Sequence, residues 1–132
     1  MGRSSYFRFL HEAIRLYNHN ELDKAYELVL ADGEDGGGTP AQILNLKYCL
    51  ESRLGKQEAA LETFREAVDH GYWYGYEYLL QDEDLRPIRD TAEFRRLAEV
   101  CREREAAAKA RSKPDLKVLA SKQEGSKGLL LA

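Results

Sequence analysis

The stretch that decides the fold runs Leu54-Gly-Lys-Gln-Glu-Ala-Ala-Leu-Glu-Thr-Phe-Arg-Glu-Ala-Val-Asp-His-Gly71. Apolar residues recur in it at the spacing that places them on one face of a helix. They are Ala60, Leu61, Phe64, Ala67 and Val68. Gly55 permits the sharp reversal before this helix, and Gly71 ends it in a left-handed cap. Because Ala60 carries only a methyl group, we expect the preceding helix to approach closely there.

Four residues of this stretch resemble the second helix of a tetratricopeptide repeat. Gly55, Ala60, Phe64 and Ala67 stand at that family's small, small, aromatic and small positions, whereas Gln57 stands where the family has a large residue. The resemblance implies helix pairs stacked around a concave groove that binds a peptide or a neighbouring domain. An ordinary helical hairpin in a small bundle is the alternative.

A repeat interval supports the stacked arrangement. Three pairs of matching residues are each 35 residues apart: Ala25 and Ala60, Val29 and Phe64, Gly36 and Gly71. The interval is close to the tetratricopeptide period of about 34 residues. The sequence therefore predicts an all-α fold, with antiparallel hairpins stacked as a short tetratricopeptide-like array, a C-terminal helical extension and a short strand-like tail.

Capping residues predict where the other helices begin. They are Ser4 or Ser5 for a first helix that runs to about Asn18, Asn20 for the second, Thr39 before Pro40 for the third, and Asp90 or Thr91 for the last. In tetratricopeptide-like chains, a pattern similar to the one around the last helix closes the array with inward-packing residues. Here those residues are Leu85, Ile88, Phe94 and Leu97.

The apolar stripe of the last helix stops at Cys101. The Arg-Glu-Arg-Glu-Ala-Ala-Ala-Lys-Ala-Arg run after it favours a helix but has no apolar face, so we expect a solvated extension. Lys113 and Pro114 end that extension. This divides the chain into a helical-repeat domain at 1–101, the extension at 102–113, and a strand-like tail or truncated start of a following domain at 114–132.

The composition fits one domain with a core of its own. The chain has 132 residues, of which 43% are hydrophobic and 33% charged, and no run approaches the roughly 20 apolar residues of a membrane span. The start leads directly into an amphipathic helix, so we expect no signal peptide. Cys49 and Cys101 fall beside apolar residues in separate predicted helices, which favours buried free thiols and a cytoplasmic setting.

The net charge of −3 conceals an asymmetry between the two parts of the chain. Residues 1–101 carry 12 Lys or Arg against 19 Asp or Glu, whereas residues 102–132 carry 8 against 4. An acidic body argues against a nucleic-acid surface. The basic C-terminal part has no aromatic residue to stack on bases, so it does not indicate a nucleic-acid-binding arm.

The glycine-rich stretch from Asp32 to Thr39 does not predict a ligand site. It has three carboxylates, no cation and a helix in front, whereas a phosphate loop has a lysine and a preceding strand. Asp32, Glu34 and Asp35 offer oxygen ligands, but the alternating twelve-residue calcium pattern is missing. We expect a solvated loop.

Aromatic residues concentrate between the fourth helix and the closing segment. Tyr72, Trp73, Tyr74, Tyr76 and Tyr78 lie within seven residues. Tyrosine and tryptophan in a cluster are typical of a recognition surface, so these five are candidate partner-binding residues. A short helix that plugs the end of the stack would use the same residues. We expect the plug for most of them, with one or two tyrosines exposed.

The C-terminal tail has the character of short strands. The segment from Asp115 to Ala120 alternates weakly, and a polar turn separates it from Leu-Leu-Leu-Ala132. This order resembles the first strands of a bacterial α/β-hydrolase of the carboxylesterase type, which implies that another domain begins here. A frayed terminus is the alternative. Unpaired strand edges seek partners, so we expect either disorder beyond residue 112 or a homodimer through strand exchange.

The sequence contains no motif that would bring catalytic or metal-binding residues together. It has no Gly-x-Ser-x-Gly elbow, and His11, His19 and His70 are not spaced as a zinc site. Glu62 and Glu66 lie on a solvated helix face. We therefore expect no catalytic, cofactor or metal residues and no enzyme activity.

Two functions follow from these observations. The first is a non-catalytic helical-repeat module that binds a peptide or protein segment or a downstream hydrolase-like domain, without nucleic-acid or membrane binding. The alternative is an accessory N-terminal domain of an esterase or hydrolase that positions or covers the active site.

Overall fold

The computed structural model describes residues 2–32 and 41–111, and these residues form helices and turns without any strand. The helices are α1 (Gly2–Asn18), α2 (Leu22–Asp32), α3 (Ala41–Arg53), α4 (Gln57–Asp69), α5 (Tyr76–Gln81), α6 (Arg86–Arg89) and α7 (Ala92–Arg111), with a 3-10 turn at Glu83–Leu85 between α5 and α6. The all-α prediction is confirmed. The glycine-rich loop from residue 33 and the tail from residue 112 lie outside the described residues.

The helices pack mainly against their neighbours along the chain. The α1–α2 and α3–α4 pairs are hairpins with short turns, and α2 packs against α3 to join them. Helix α7 packs against α4 and α5, while α6 and the 3-10 turn pack against α3. Two apolar clusters result, one among α1, α2 and α3, and one between α3–α4 and the C-terminal elements.

The turn between α3 and α4 depends on a left-handed residue. Gly55 has φ +81°, its N–H donates to the Ser52 carbonyl at 3.2 Å, and the Lys56 N–H donates to the Glu51 carbonyl at 2.8 Å. This pair of bonds is the Schellman motif. Gly71 after α4, with φ +92°, makes the corresponding bonds. Both glycines therefore end helices as predicted.

Asn20 has the same role at the end of α1, which corrects the prediction that it caps α2. Its φ is +63°, and the Glu21 N–H donates to the Leu16 carbonyl at 2.9 Å. Asparagine tolerates the left-handed region better than other non-glycine residues. Its side chain is turned to α3, where Oδ1 accepts a hydrogen bond from Arg53 at 2.8 Å. Asn20 and Gly55, 35 residues apart, thus occupy equivalent turn positions.

Alanines and one phenylalanine bring α3 and α4 together. Ala60, Phe64 and Ala67 are fully buried in the cluster that α4 shares with α3 and α7. Ala25, 35 residues before Ala60, is fully buried in the α1–α2–α3 cluster. The predicted stripe of α4 is the face that packs, while assignment of the array to the tetratricopeptide family stays a prediction.

The closing segment is packed as the pattern predicts. The Leu85, Ile88, Phe94 and Leu97 side chains are buried. Thr91 caps α7, since its Oγ1 accepts a hydrogen bond from the Phe94 N–H at 3.1 Å.

Helix α7 continues without a break from the core into the segment expected to be solvated, and that expectation fails in its first turn. Arg104 Nη1 donates to the carbonyls of Val68 and Tyr72, both at 2.8 Å, and Glu105 accepts a hydrogen bond from the Tyr76 N–H at 3.0 Å. These long polar side chains reach backbone groups left open where α4 ends and α5 begins. In the described part of the chain, no helix combines the length and apolar character needed to cross a bilayer.

Candidate functional site

One concave feature of the described residues is a groove along α1, α3 and α5, with a volume of about 370 Å³. We call it the α1–α3–α5 groove. Its apolar wall contains Leu10, Ile14 and Leu46, and its other wall ends at Asp82 and Asp84. Ile14 is 43% exposed, and Leu30 and Leu80, outside the groove, are exposed to a similar degree. The volume is at the lower end of the range for small-ligand pockets.

A tyrosine and amide network forms the floor of the groove. Asn45 Nδ2 donates to the hydroxyls of Tyr48 at 2.9 Å and Tyr78 at 3.0 Å. Burial raises the pKa of the Tyr48 and Tyr78 hydroxyls. The network holds α5 against α3 and fixes one side of the groove.

The acidic end of the groove is built on the 3-10 turn. Asp82 caps this turn, since Oδ1 accepts a hydrogen bond from the Asp84 N–H at 2.9 Å. The Ser52 hydroxyl donates to the Asp84 carbonyl at 2.6 Å, and Arg53 Nε lies 3.5 Å from Asp84 Oδ1. Burial raises the pKa of the Asp84 carboxyl. Helix α3 thereby positions both carboxylates.

Cys49 lies between the floor and the acidic end. Its Sγ and the carboxylate oxygens of Asp82 and Asp84 fall within 4.8 Å of one another. Burial, with Asp82 nearby, raises the pKa of the Cys49 thiol, and Sγ is placed to donate to Asp82 Oδ2 at 3.9 Å. A protonated thiol is a poor nucleophile. The three residues act here as a thiol–carboxylate contact.

The aromatic segment divides according to burial. Tyr74 is fully buried, contacts Tyr48 edge-on with ring centroids 5.5 Å apart, and donates from its hydroxyl to the Ala41 carbonyl at 2.7 Å. Tyr74 is therefore a core residue, and its prediction as a binding residue is wrong. Tyr72, Trp73, Tyr76 and Tyr78 are half-buried against the core.

A second, wider groove of about 960 Å³ lies between α5 and the C-terminal half of α7. Tyr78 and Asp82 line both grooves, so the two lie next to each other at α5. Glu105 and Lys109 form an ion pair of 3.5 Å along its α7 side. On α7 this second groove, the α5–α7 groove, extends as far as Lys109, close to the last described residue of the helix.

Glu51 is a buried carboxylate that the sequence does not identify. It is 1% exposed on α3, and its oxygens accept hydrogen bonds from the hydroxyls of Tyr26 at 2.6 Å and Thr63 at 2.7 Å. Lys47 Nζ lies 3.6 Å from it. Burial, together with Glu51, raises the pKa of the Tyr26 hydroxyl. This cluster joins α2, α3 and α4, and a buried charge with these partners has a structural role.

The other candidates from the sequence are not brought together. His11, His19 and His70 are exposed, and the Nδ1 atoms of His19 and His70 lie 2.8 Å from carbonyls of their own helices. Glu62 and Glu66 are exposed on α4. The sequence does not identify the groove residues, because Cys49 and Asp82 are 33 residues apart and form no local motif.

Comparison with known proteins shows which family and which solved structure the chain is similar to. A family model described as "A/B hydrolase-like, N-terminal domain" matches residues 5–109. The chain is also similar to an uncharacterized protein from Bacillus cereus ATCC 10987, whose crystal structure was determined at 2.75 Å resolution. The two sequences are 35% identical and the two structures superpose with a TM-score of 0.74. The match covers 83% of this chain and 35% of the Bacillus cereus chain. The chain thus spans about a third of that protein. The comparison with curated proteins gives no match.

Proposed function

Because the chain belongs to the family of A/B hydrolase-like N-terminal domains, we propose that it is a non-catalytic accessory domain that docks onto and positions a hydrolase-like domain following it. The family match over residues 5–109 is the observation that supports this most directly. The length of the Bacillus cereus protein, about three times the matched part, leaves room for such a domain.

The geometry of the described residues is consistent with a docking role. Buried cysteines with raised thiol pKa values and dispersed, exposed histidines offer no activated nucleophile with a base. The α5–α7 groove lies along the C-terminal half of α7, the helix from which the chain continues. A domain attached there is held close to the grooves at high effective concentration.

The experiment compares the complete protein that carries this chain with a version that begins after Arg111. Hydrolysis of p-nitrophenyl esters of increasing acyl length gives kcat/KM for both. We expect the shortened protein to lose activity or acyl-length preference, and the separate chain of 132 residues to restore part of it when added.

Two results would contradict the proposal. One is an unchanged kcat/KM for every ester after removal of the domain. The other is a natural coding sequence that stops at Ala132, because no hydrolase-like domain would then follow.

A second function, binding of a peptide from a separate protein, is favoured by the α1–α3–α5 groove. The two functions differ in where the partner lies. An accessory domain acts on the rest of its own chain, whereas a peptide-binding module binds a separate partner that can be added in a titration.

A further inference from the structure

We propose that residues 114–118, Pro-Asp-Leu-Lys-Val, return along the α5–α7 groove as an extended segment antiparallel to α7. The groove is formed by described residues, and the segment lies outside them. The occupant is thus the part of the chain that directly follows α7. The inference concerns the chain of 132 residues by itself and does not depend on the proposed accessory function.

The face of α7 that lines the groove leads to the point where the chain turns. The residues of that face recur at the three- and four-residue spacing of one helical side. They are Arg102, Glu105, Ala106 and Lys109. Lys113 is the next position in this spacing, and Pro114 disfavours helical backbone at the residue before it. A chain that turns there begins its return beside the groove.

The length of the segment matches the length of the groove. Lys109 follows Arg102 by seven residues, which is about 10 Å at the helical rise of 1.5 Å per residue. An extended chain rises about 3.3 Å per residue, so the path from Asp115 to Val118 covers the same distance. Residues 112–114 remain for the turn.

The charges of the segment have the reverse order of the charges on α7. Going back along α7, Glu105 follows Lys109 after about 6 Å. Going forward along the segment, Lys117 follows Asp115 after about 7 Å. An antiparallel segment therefore places Asp115 near Lys109 and Lys117 near Glu105. Charge complementarity of this kind fixes the register of a docked segment.

Glu77 offers Lys117 a carboxylate that has no partner among the described residues. It lines the groove on α5, is exposed, and forms neither a hydrogen bond nor an ion pair within the described part of the chain. The Tyr76 N–H donates to Glu105 Oε1 at 3.0 Å, so Glu77 lies at the level of Glu105 along α7. Lys117 can thus pair with Glu77 while Glu105 keeps Lys109 at 3.5 Å.

The other side chains of the segment are apolar, and the α5 wall is suited to them. In an extended segment, Leu116 and Val118 point to the face opposite the two charges. Tyr76 and Tyr78 line the groove and are half-buried against the core, so each leaves part of its surface open to the groove. Covering this surface is favourable in proportion to the area removed from water.

Disulfide trapping tests the position of the segment. Leu116→Cys is combined either with Ala106→Cys, inside the groove, or with Ala107→Cys, which is exposed on α7 outside it. Both pairs join the tail to the same turn of α7, and the native Cys49 and Cys101 are buried. We expect the Ala106 pair to close an intramolecular disulfide at least about tenfold faster with the same oxidant, as measured by mass spectrometry.

Charge variants test the register. Lys117→Glu should slow closure of the Ala106 pair at least about threefold, because the ion pair with Glu77 becomes a repulsion. Lys122→Glu makes the same change of charge outside the segment and should leave the rate unchanged. Adding Glu77→Lys to Lys117→Glu should restore most of the rate, because the ion pair is then present with its charges exchanged.

Trypsin tests the inference on the unmodified chain. Cleavage after Lys117 is compared with cleavage after Lys122, and the ratio is normalised to a synthetic peptide of residues 112–132. We expect the ratio to be at least about fivefold lower in the chain than in the peptide, because a protease requires release of the docked segment.

Four results would overturn the inference. They are equal closure rates of the Ala106 and Ala107 pairs, a disulfide-linked dimer as the main product, a rate unaffected by Lys117→Glu, and the same trypsin ratio in the chain and the peptide. A dimer would place the segment in the groove of a second copy. The accessory function is tested separately, because it fails only if removal of the domain leaves ester hydrolysis unchanged.

Discussion

At the scale of single residues, burial separates the tyrosines that can meet a partner from those that cannot. Tyr48 and Tyr74 have no exposed surface, while Tyr72 and Tyr76 are half-buried at the edge of the same cluster. A ring that packs on both faces contributes stability and is inaccessible to a partner. The sequence shows that the aromatic residues cluster, but their alternation between core and surface depends on the irregular path from Gly71 to Gly75.

This division predicts how the chain titrates in alkali. Burial raises the pKa of the Tyr26, Tyr48, Tyr74 and Tyr78 hydroxyls above the ordinary tyrosine value of 10.0. Because the folded pKa is the higher one, their contribution to stability is complete below pH 10 and is lost as the pH rises above it. We expect these four of the eight tyrosines to stay protonated until the chain unfolds, as measured by phenolate absorbance.

Tyr74→Phe provides the control for this titration. It should remove absorbance change from the unfolding step and leave the earlier, native step unchanged. Loss from the native step would mean that Tyr74 is exposed, and the core position of the ring would then be wrong.

At the scale of the helices, local patterns predict the elements well and their polar contacts poorly. The apolar stripe of α4, the glycines that bound it and the inward residues of α6 and α7 follow from spacing within a few residues. The position of Asn20 was predicted wrongly because asparagine is favoured both as the N-cap of a helix and in the left-handed conformation that follows a helix. The contacts of Glu51 with Thr63 and Tyr26, and of Asp82 with Cys49, could not be predicted, since these partners are 12 to 33 residues away.

The Glu51 cluster gives a prediction for the packing of α2, α3 and α4. Thr63→Val keeps the shape of the side chain but removes the hydrogen bond to a buried carboxylate, so the free energy of unfolding should fall by about 1–3 kcal/mol. Thr63→Ser keeps the hydroxyl and should cost less, about 0.8 kcal/mol for the lost methyl group. Urea unfolding of both variants measures the difference.

The two Thr63 variants would have equal stability if Glu51 were satisfied by its other partners alone. In a Glu51→Gln background the difference between them should shrink, because the neutral amide gains less from the hydroxyl than the carboxylate does. An undiminished difference would assign the effect to packing of the valine.

At the scale of the whole molecule, α7 connects the helical stack to whatever follows residue 111. Twenty residues of uninterrupted helix extend roughly 30 Å. The sequence predicts the helix but also predicts that it leaves the body at Cys101, because residues 102–111 lack an apolar stripe. Long charged side chains pack without such a stripe, and Arg104 and Glu105 attach this part of α7 to the segment between α4 and α5. The direction in which α7 leaves is therefore set by polar contacts.

Arg104 makes two of these hydrogen bonds and Glu105 makes one. Arg104 donates to the Val68 and Tyr72 carbonyls, which lie where α4 ends and where a cation is favoured by the helix dipole. Arg104→Ala should lower the free energy of unfolding by about 1.5–3 kcal/mol, because two charge-assisted hydrogen bonds are lost. Arg102→Ala is the matched control, since Arg102 is exposed and pairs with Glu99 three residues before it, and it should change stability little.

The same pair of variants tests whether α7 determines how the following domain is held. In the complete protein, Arg104→Ala should weaken amide hydrogen-exchange protection from Tyr72 to Tyr76 and along residues 102–111, whereas Arg102→Ala should preserve it. Equal protection in the two variants would mean that Glu105 and the apolar contacts of α7 fix its direction without Arg104. Weakened protection with unchanged ester hydrolysis would separate the anchoring of α7 from the accessory role, because residues 102–111 of α7 could then move without affecting the neighbouring domain.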